Sequence, residues 1–513
     1  MKKRLLPSVC AVSVSVFICL IILSGLADYG ITWDEPTYIQ AGKKYVEWII
    51  RPSFDTIDEY WVENHEHPPL TKVLGGLTNY IFNEKLNLFP SAISYRISIV
   101  LFVFFLNFCL FLFIYEIHGY KLALIVTLIF SFLPRVFFHS HIGALDYPVT
   151  AMWFLVIYTY WKGQKDQRWI MISSVTLGLA LLTKLNAFFL YAPILLHWSL
   201  THRKEISGII FKGDKAGQIE YHKILLKLIP MIIVPPIIFL LFWPWLWKDT
   251  INRLMEYGFF HINHLRVPVY YLGNTYYKAP WEYPFLLTLI TIPLFFLILF
   301  FIGIAKSDFR SHGKTKFIIL FNTLFPLFII SISRTKYDGI RLFLPAFPFI
   351  AIISGFGLNY IFSFFKKRRF NKISILAYTL LFLLTIYFSI IKYHPYQSSY
   401  FNILVGGIDG AREIGFEPEY WGSSYKDVLP WLEDNQEKIY WIYMNSDPFY
   451  HYQMDGRLNP NIRFGGRDTS DYVILLSRFG MFNEDAWKYY NNREPVFSVR
   501  IFNTRLVSIY KLD

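Results

Sequence analysis

Long apolar runs separated by short polar links dominate the chain, and sustained alternation of apolar and polar positions begins only near its end. An α-helix needs about 20 mostly apolar residues to cross the bilayer core, and about eleven runs approach that length. They lie near 5–26, 96–115, 120–138, 147–161, 169–183, 186–200, 224–246, 284–304, 316–332, 342–362 and 373–391. The runs between 147 and 200 are short and closely joined. Beyond residue 392 the long apolar runs stop. Strand-like stretches follow at 438–444, 472–476, 496–502 and 505–510, with a helix expected over 425–433. The pattern predicts a polytopic α-helical membrane protein with a small C-terminal α/β domain. Residues 1–392 form the transmembrane module, with outer loops 28–95 and 247–283, and residues 393–513 the extracytoplasmic domain. No internal repeat is evident.

Composition agrees. Of 513 residues 54% are hydrophobic and only 17% charged, where a soluble domain carries roughly a quarter. Aromatic residues make up 20%, and Tyr and Trp concentrate at membrane interfaces. Disordered, disulfide-scaffold and collagen-like classes are excluded. Cys10, Cys19 and Cys109 all fall in apolar runs and read as free thiols. The net charge of +13 is spread over short clusters between apolar runs, which fits cytoplasmic loops and gives no nucleic-acid-binding face.

The first run follows Met1-Lys2-Lys3-Arg4 and reads as an uncleaved anchor with its N-terminus inside; a signal peptide ending near Ala27 is the alternative. Alternate loops then carry the positive charge, at Lys162, Lys165 and Arg168 and in 203–227, 306–316 and 366–369, as the positive-inside rule requires. The opposite face holds 28–95, 247–283 and the tail.

Transport predicts ionisable residues in mid-span or paired halves with interrupted helices. Here the charged residues of interest sit in outer loops or at outer helix ends. In Ile31-Thr32-Trp33-Asp34-Glu35-Pro36, Asp34 reads equally as a helix N-cap and as a carboxylate that takes a proton from an acceptor hydroxyl. Glu63-Asn64-His65-Glu66-His67-Pro68-Pro69-Leu70 is either a solvated turn that starts a helix or a divalent-metal ligand set. Asp146, in Gly143-Ala144-Leu145-Asp146-Tyr147-Pro148, has the same N-cap alternative. Arg334, Lys336 and Arg341 crowd an outer loop that should be neutral, which points to phosphate binding. Lys184 is a second phosphate candidate or a snorkelling side chain. Trp281, Tyr283 and Tyr270-Tyr271 suit sugar stacking, a lipid groove or an aromatic belt.

The Asp-Glu pair after the first span, followed about thirty residues on by His67-Pro68-Pro69-Leu70, resembles the protein O-mannosyltransferases. Glu66-His67-Pro68-Pro69-Leu70 is similar to the Glu-Lys-Pro-Pro-Leu element of bacterial relatives, including the lipid A aminoarabinose transferases. Phe259-Phe260-His261-Ile262-Asn263-His264-Leu265-Arg266 with Lys278-Ala279-Pro280-Trp281, and Arg341-Leu342-Phe343-Leu344-Pro345, resemble later segments of the same enzymes. The resemblance spans about residues 28–350.

It implies a glycosyltransferase of the GT-C fold and family 39 type, which moves a sugar from a polyprenyl-phosphate carrier to a hydroxyl acceptor with inversion. By resemblance Asp34 is the essential first-loop aspartate, with Glu35 beside it, and Asp146 a second acidic position. Glu66 and His264 match metal-associated positions. His67 stands where the aminoarabinose transferases carry Lys, as in the mannosyltransferases. Donor phosphate then falls to Arg341, Lys336, Arg334 and Lys184, and the sugar and lipid groove to His67, Trp281, Tyr283 and Lys278. The partners implied are the bilayer, the lipid-linked sugar and an acceptor on protein, glycan or lipid, in a prokaryotic plasma membrane. The rival readings are a flippase for lipid-linked sugars and a non-catalytic membrane scaffold.

Overall fold

The computed structural model describes residues 2–203, 226–263, 266–306, 313–367 and 371–512. Within them every apolar run is helical, because a chain in hydrocarbon must satisfy its own backbone hydrogen bonds. Four helices are long and apolar enough to cross a membrane: Leu6–Gly25, Ser91–His118, Gly313–Ile332 and Arg341–Lys366. The other apolar helices are shorter, among them Tyr120–Ser131, Arg168–Leu181 and Ile229–Leu241. By length and composition alone, four of the described helices, or five with one bent pair, qualify as single spans, beside the eleven apolar runs read from the sequence.

Prolines account for the two clearest departures. The run 284–304 splits into Tyr283–Thr291 and Leu294–Lys306, bent by 117°. Pro293 lacks an N–H and drives Ile292 to extended backbone (φ −90°, ψ 132°). The run 120–138 breaks in the same way at Leu133 before Pro134, and a short helix Pro134–His139 follows. The tail repairs the first break. Asn402 donates its backbone N–H to Ile290 O at 2.8 Å and its side-chain amide to Leu289 O and Ile292 O at 2.7 and 2.8 Å. Carbonyls freed by the bend thus regain donors.

Leu294–Lys306 then packs closely on Phe347–Lys367. A Cβ on Gly303 would stand 2.0 Å from Ile353 O, and one on Gly357 1.9 Å from Leu299 O. Only glycine lets these two backbones approach so far. Of the basic stretches expected on the cytoplasmic face, residues 204–225, 307–312 and 368–370 lie outside the described residues.

Two amphipathic helices, Glu35–Ile50 and Leu70–Asn79, pack together beside the helix bundle. A hairpin of β1 (Val269–Tyr271) and β2 (Asn274–Tyr276) turns through Leu272 and Gly273, both at positive φ. The tail holds β3 (Ile439–Ile442), β4 (Arg463–Phe464), β5 (Tyr472–Leu476), β6 (Phe497–Ile501) and β7 (Thr504–Lys511). They form one mixed sheet in the order β4-β3-β5-β7-β6, with β3 parallel to β4 and β5, and β7 antiparallel to β5 and β6. Most of its buried residues share one core with the helices. The tail is packed onto the bundle and reaches the helix ends near Asp338 and Arg341.

Candidate active site

Asp34 and Glu35 are neighbours with separate surroundings. Glu35 is fully buried against Arg96, at 2.6 Å to Nε and 2.7 Å to Nη2. Its oxygens also accept from the Thr32 and Gly143 backbone N–H groups at 2.8 and 2.6 Å. The remaining Arg96 donors reach Leu26 O, Tyr29 O and Gly30 O. Every hydrogen-bonding position of this pair is filled, so its geometry is that of a clamp on the loop between the first span and Glu35–Ile50.

Asp34 makes no side-chain cap to that helix. Its carboxylate turns instead to Arg341, 2.7 Å from Nη1, and remains 30% exposed. Arg341 also meets Asp338 at 3.3 Å, and its guanidinium lies over Trp421 and Tyr337 at 4.8 and 5.0 Å. Its Nε is buried with no hydrogen-bond partner. Asp338 in turn accepts from Arg478 at 2.7 Å. Burial pushes the Asp338 carboxyl up, opposed by both arginines. Asp338 and Gly339 both have left-handed backbone (φ 56° and 64°). A Cβ on Gly339 would meet Arg135 Nη1 at 2.6 Å, so glycine is required there.

Asp146, likewise no cap, is buried and bonded to Lys184 Nζ at 2.6 Å. The field of Asp146 reaches Arg341 and Tyr38, which joins the two acidic positions into one centre. His139 lies in that field with both ring nitrogens buried and unpartnered, its ring 5.3 Å from Trp421. Tyr38 stands between this centre and His67, with ring centroids 6.1 Å apart. Burial, with Lys72 and Lys184 nearby, holds the His67 imidazole well below its ordinary range and therefore neutral.

The His67 turn is held from beneath by Lys72, which is fully buried and donates to Asn64 Oδ1 at 3.1 Å, His67 O at 2.7 Å and Asn64 O. Burial pushes the Lys72 ammonium down to about 7, against the pull of Glu66 and Glu63. Of the two residues matched to a metal, Glu66 accepts from Asn64 at 2.6 Å, and its carbonyl accepts from the His261 ring. His264 lies outside the described residues. Among the described residues no three His, Cys, Asp or Glu side chains gather as a ligand set.

Other sequence candidates separate from the centre. Lys336 is buried but donates to Ala279 O and Ser333 O at 2.9 and 2.8 Å. Arg334 and Lys278 are exposed, and Trp281 stands 68% exposed at the start of Tyr283–Thr291. Tyr283 is buried, in the field of Asp338 and Arg135. Tyr270 and Tyr271 pack on Phe479 and Phe416 of the tail. Sequence reasoning missed Asp338, Tyr38, His139, Trp421 and Arg478. The Asp338-Gly339 turn, three residues before Arg341, was the available signal for the first.

The family model described as dolichyl-phosphate-mannose-protein mannosyltransferase matches residues 66–212. No curated protein matches the chain by sequence. Among solved structures, ArnT from Cupriavidus metallidurans in the apo state aligns over 97% of both chains at 14% identity with a TM-score of 0.56. The same enzyme bound to undecaprenyl phosphate gives 97% of both chains, 14% identity and 0.53. The Archaeoglobus fulgidus oligosaccharyltransferase AglB, in complex with an inhibitory peptide and a dolichol-phosphate, covers 90% of this chain and 69% of its own at 13% identity and 0.48. The chain has the GT-C fold, and its match to the mannosyltransferase model begins at Glu66, in the turn that holds His67.

Proposed function

We propose that the chain is an inverting glycosyltransferase that moves a sugar from a polyprenyl-phosphate carrier to a hydroxyl acceptor at the outer face of the membrane. One observation carries the reading: a partly open carboxylate, Asp34, shares a buried guanidinium, Arg341, whose Nε–H has no partner. A departing phosphate needs a fixed cation where its charge grows, and arginine gives directional donors to phosphate oxygens. Arg341 takes that role. As phosphate competes for the guanidinium, Asp34 loses its ion pair and becomes the better base for the acceptor hydroxyl. Lys184 holds Asp146 within the same field, and His67 and Tyr38 border the acceptor side. The ArnT structure with undecaprenyl phosphate supports the choice of carrier, and the mannosyltransferase match supports transfer to a hydroxyl. The charge of the alternate loops supports a site on the face away from the cytoplasm. Glu66 remains available to a divalent ion, and the steps above run on side chains of this chain.

The test is undecaprenyl phosphate binding to the protein in nanodiscs. Arg341→Met is expected to weaken binding at least tenfold while Arg334→Met leaves it within twofold. Equal binding by wild type and Arg341→Met would overturn the phosphate assignment.

A further inference from the structure

Four charged side chains stand in one row that begins in the tail and ends at the open carboxylate. Arg478, directly after β5, is 3% exposed and donates to Asp338 at 2.7 Å and to Tyr420 O at 2.7 Å. Its guanidinium lies 4.6 Å over the Trp33 ring, next to Asp34 in sequence. Asp338, 5% exposed, divides its two oxygens between Arg478 and Arg341. Arg341 divides its two terminal nitrogens between Asp338 and Asp34. Each interior member is shared by two partners of opposite sign, and only Asp34 meets solvent.

Such sharing has a consequence for the open end. What Asp338 takes from Arg341 is withheld from Asp34, and what Arg478 takes from Asp338 is returned to Arg341. Asp338, Arg341 and Arg478 are buried, so these couplings are screened less than those between charges on an open surface. We propose that Arg478 and Asp338 are positioning residues that set how tightly Arg341 holds Asp34, so that the segment after residue 392 tunes the base it covers. This rests on the reading of Asp34 as base.

The backbone shows how firmly the row is fixed. Asp338 occupies left-handed backbone, a conformation a non-glycine residue keeps only where its surroundings determine it. Arg135, packed against Gly339, and Trp421, under Arg341, complete those surroundings. The other charged or titratable groups facing Asp34 are Asp146 with its partner Lys184, Tyr38 and Tyr337. His139 lies beside them, pushed down to about 3 by burial and so uncharged through the range of interest.

The two positions predict opposite effects. In Asp338→Asn the rival carboxylate is gone, Arg341 turns wholly to Asp34, and the acidic limb of the pH–rate profile moves down. In Arg478→Gln, Asp338 is left to Arg341 alone, the hold on Asp34 slackens and the limb moves up. The double variant follows Asp338→Asn, because Arg478 acts only through Asp338. Arg478→Lys keeps the charge and restores the limb toward wild type.

The experiment is consumption of endogenous polyprenyl-phosphate sugars, followed by mass spectrometry in membranes containing each full-length variant, from acidic to neutral pH. Opposite limb shifts in the singles, with the double matching Asp338→Asn, are expected. Limbs that stay in place, or move the same way, while rate falls evenly would mark the row as structural and overturn the proposal. Should Arg478→Gln fail to accumulate, Asp338→Asn decides alone: a limb that moves down supports the row, and one that stays in place or moves up overturns the proposal. If Asp34→Asn keeps transfer and its acidic limb, the base reading itself has failed. If the limb belongs to Asp34 but ignores both neighbours, only the positioning proposal falls.

Discussion

Adjacent carboxylates with different surroundings should separate activity from stability. In Glu35→Gln the amide keeps one acceptor oxygen for Arg96 Nε and Gly143 N–H, but its NH2 faces the Thr32 N–H and the Arg96 Nη2 donor. A fully buried guanidinium loses its counter-charge, and breaking a buried pair from one side costs about 3–5 kcal/mol. In Asp34→Asn the lost partner is 30% exposed and Arg341 keeps Asp338, so the cost is about 1 kcal/mol or less. Thermal melting in detergent, read by size-exclusion chromatography, should therefore show a large drop for Glu35→Gln and little change for Asp34→Asn. Lipid-linked sugar consumption should be lost in Asp34→Asn and retained, at permissive temperature, in Glu35→Gln in proportion to folded protein. A stable Glu35→Gln protein, or an Asp34→Asn protein that melts equally early, would refute the division of roles.

Three further perturbations probe the supports of the site. Gly339→Ala places a Cβ 2.6 Å from Arg135 Nη1 on left-handed backbone, and should cost at least about 1 kcal/mol and lower transfer by shifting Asp338; unchanged melting and rate would contradict it. Lys72→Met strands the oxygens of Asn64 and His67 that the ammonium now binds, at about 1–3 kcal/mol per unmet group, and should raise protease sensitivity of the 63–70 turn. Burial lifts the Glu417 carboxyl to about 7 from an unfolded value of 4.5. Its contribution is fully present below the unfolded value and is lost as pH rises through about 7, by at most about 3 kcal/mol. Glu417→Gln, which keeps an acceptor for the Gly480 N–H, should flatten the fall in melting temperature between acidic and neutral pH; an unchanged pH slope would count against it.

Local chemistry made much of this molecule legible. Long apolar runs reveal helices because a single segment in hydrocarbon can satisfy its backbone hydrogen bonds within itself only as a helix, and β5 falls at the expected 472–476. The bend at Pro293 was present in the sequence as a proline inside an apolar run, yet its degree depends on Asn402, more than a hundred residues on. Asp34 and Glu35 looked alike because their difference lies in distant partners, Arg341 for one and Arg96 for the other. Lys336 and Arg341 looked alike for the same reason, and only the fold turns Lys336 toward carbonyls. Arg478 gave no signal, since its part depends on the tail closing over the helix ends.

The most direct test of the central claim is mass spectrometry of polyprenyl-phosphate sugars and surface glycans in cells carrying wild type or Asp34→Asn at equal membrane levels. The account predicts that the variant accumulates one lipid-linked sugar and lacks one glycan substituent, which names donor and acceptor together. Identical pools in the two strains would contradict transfer by this site.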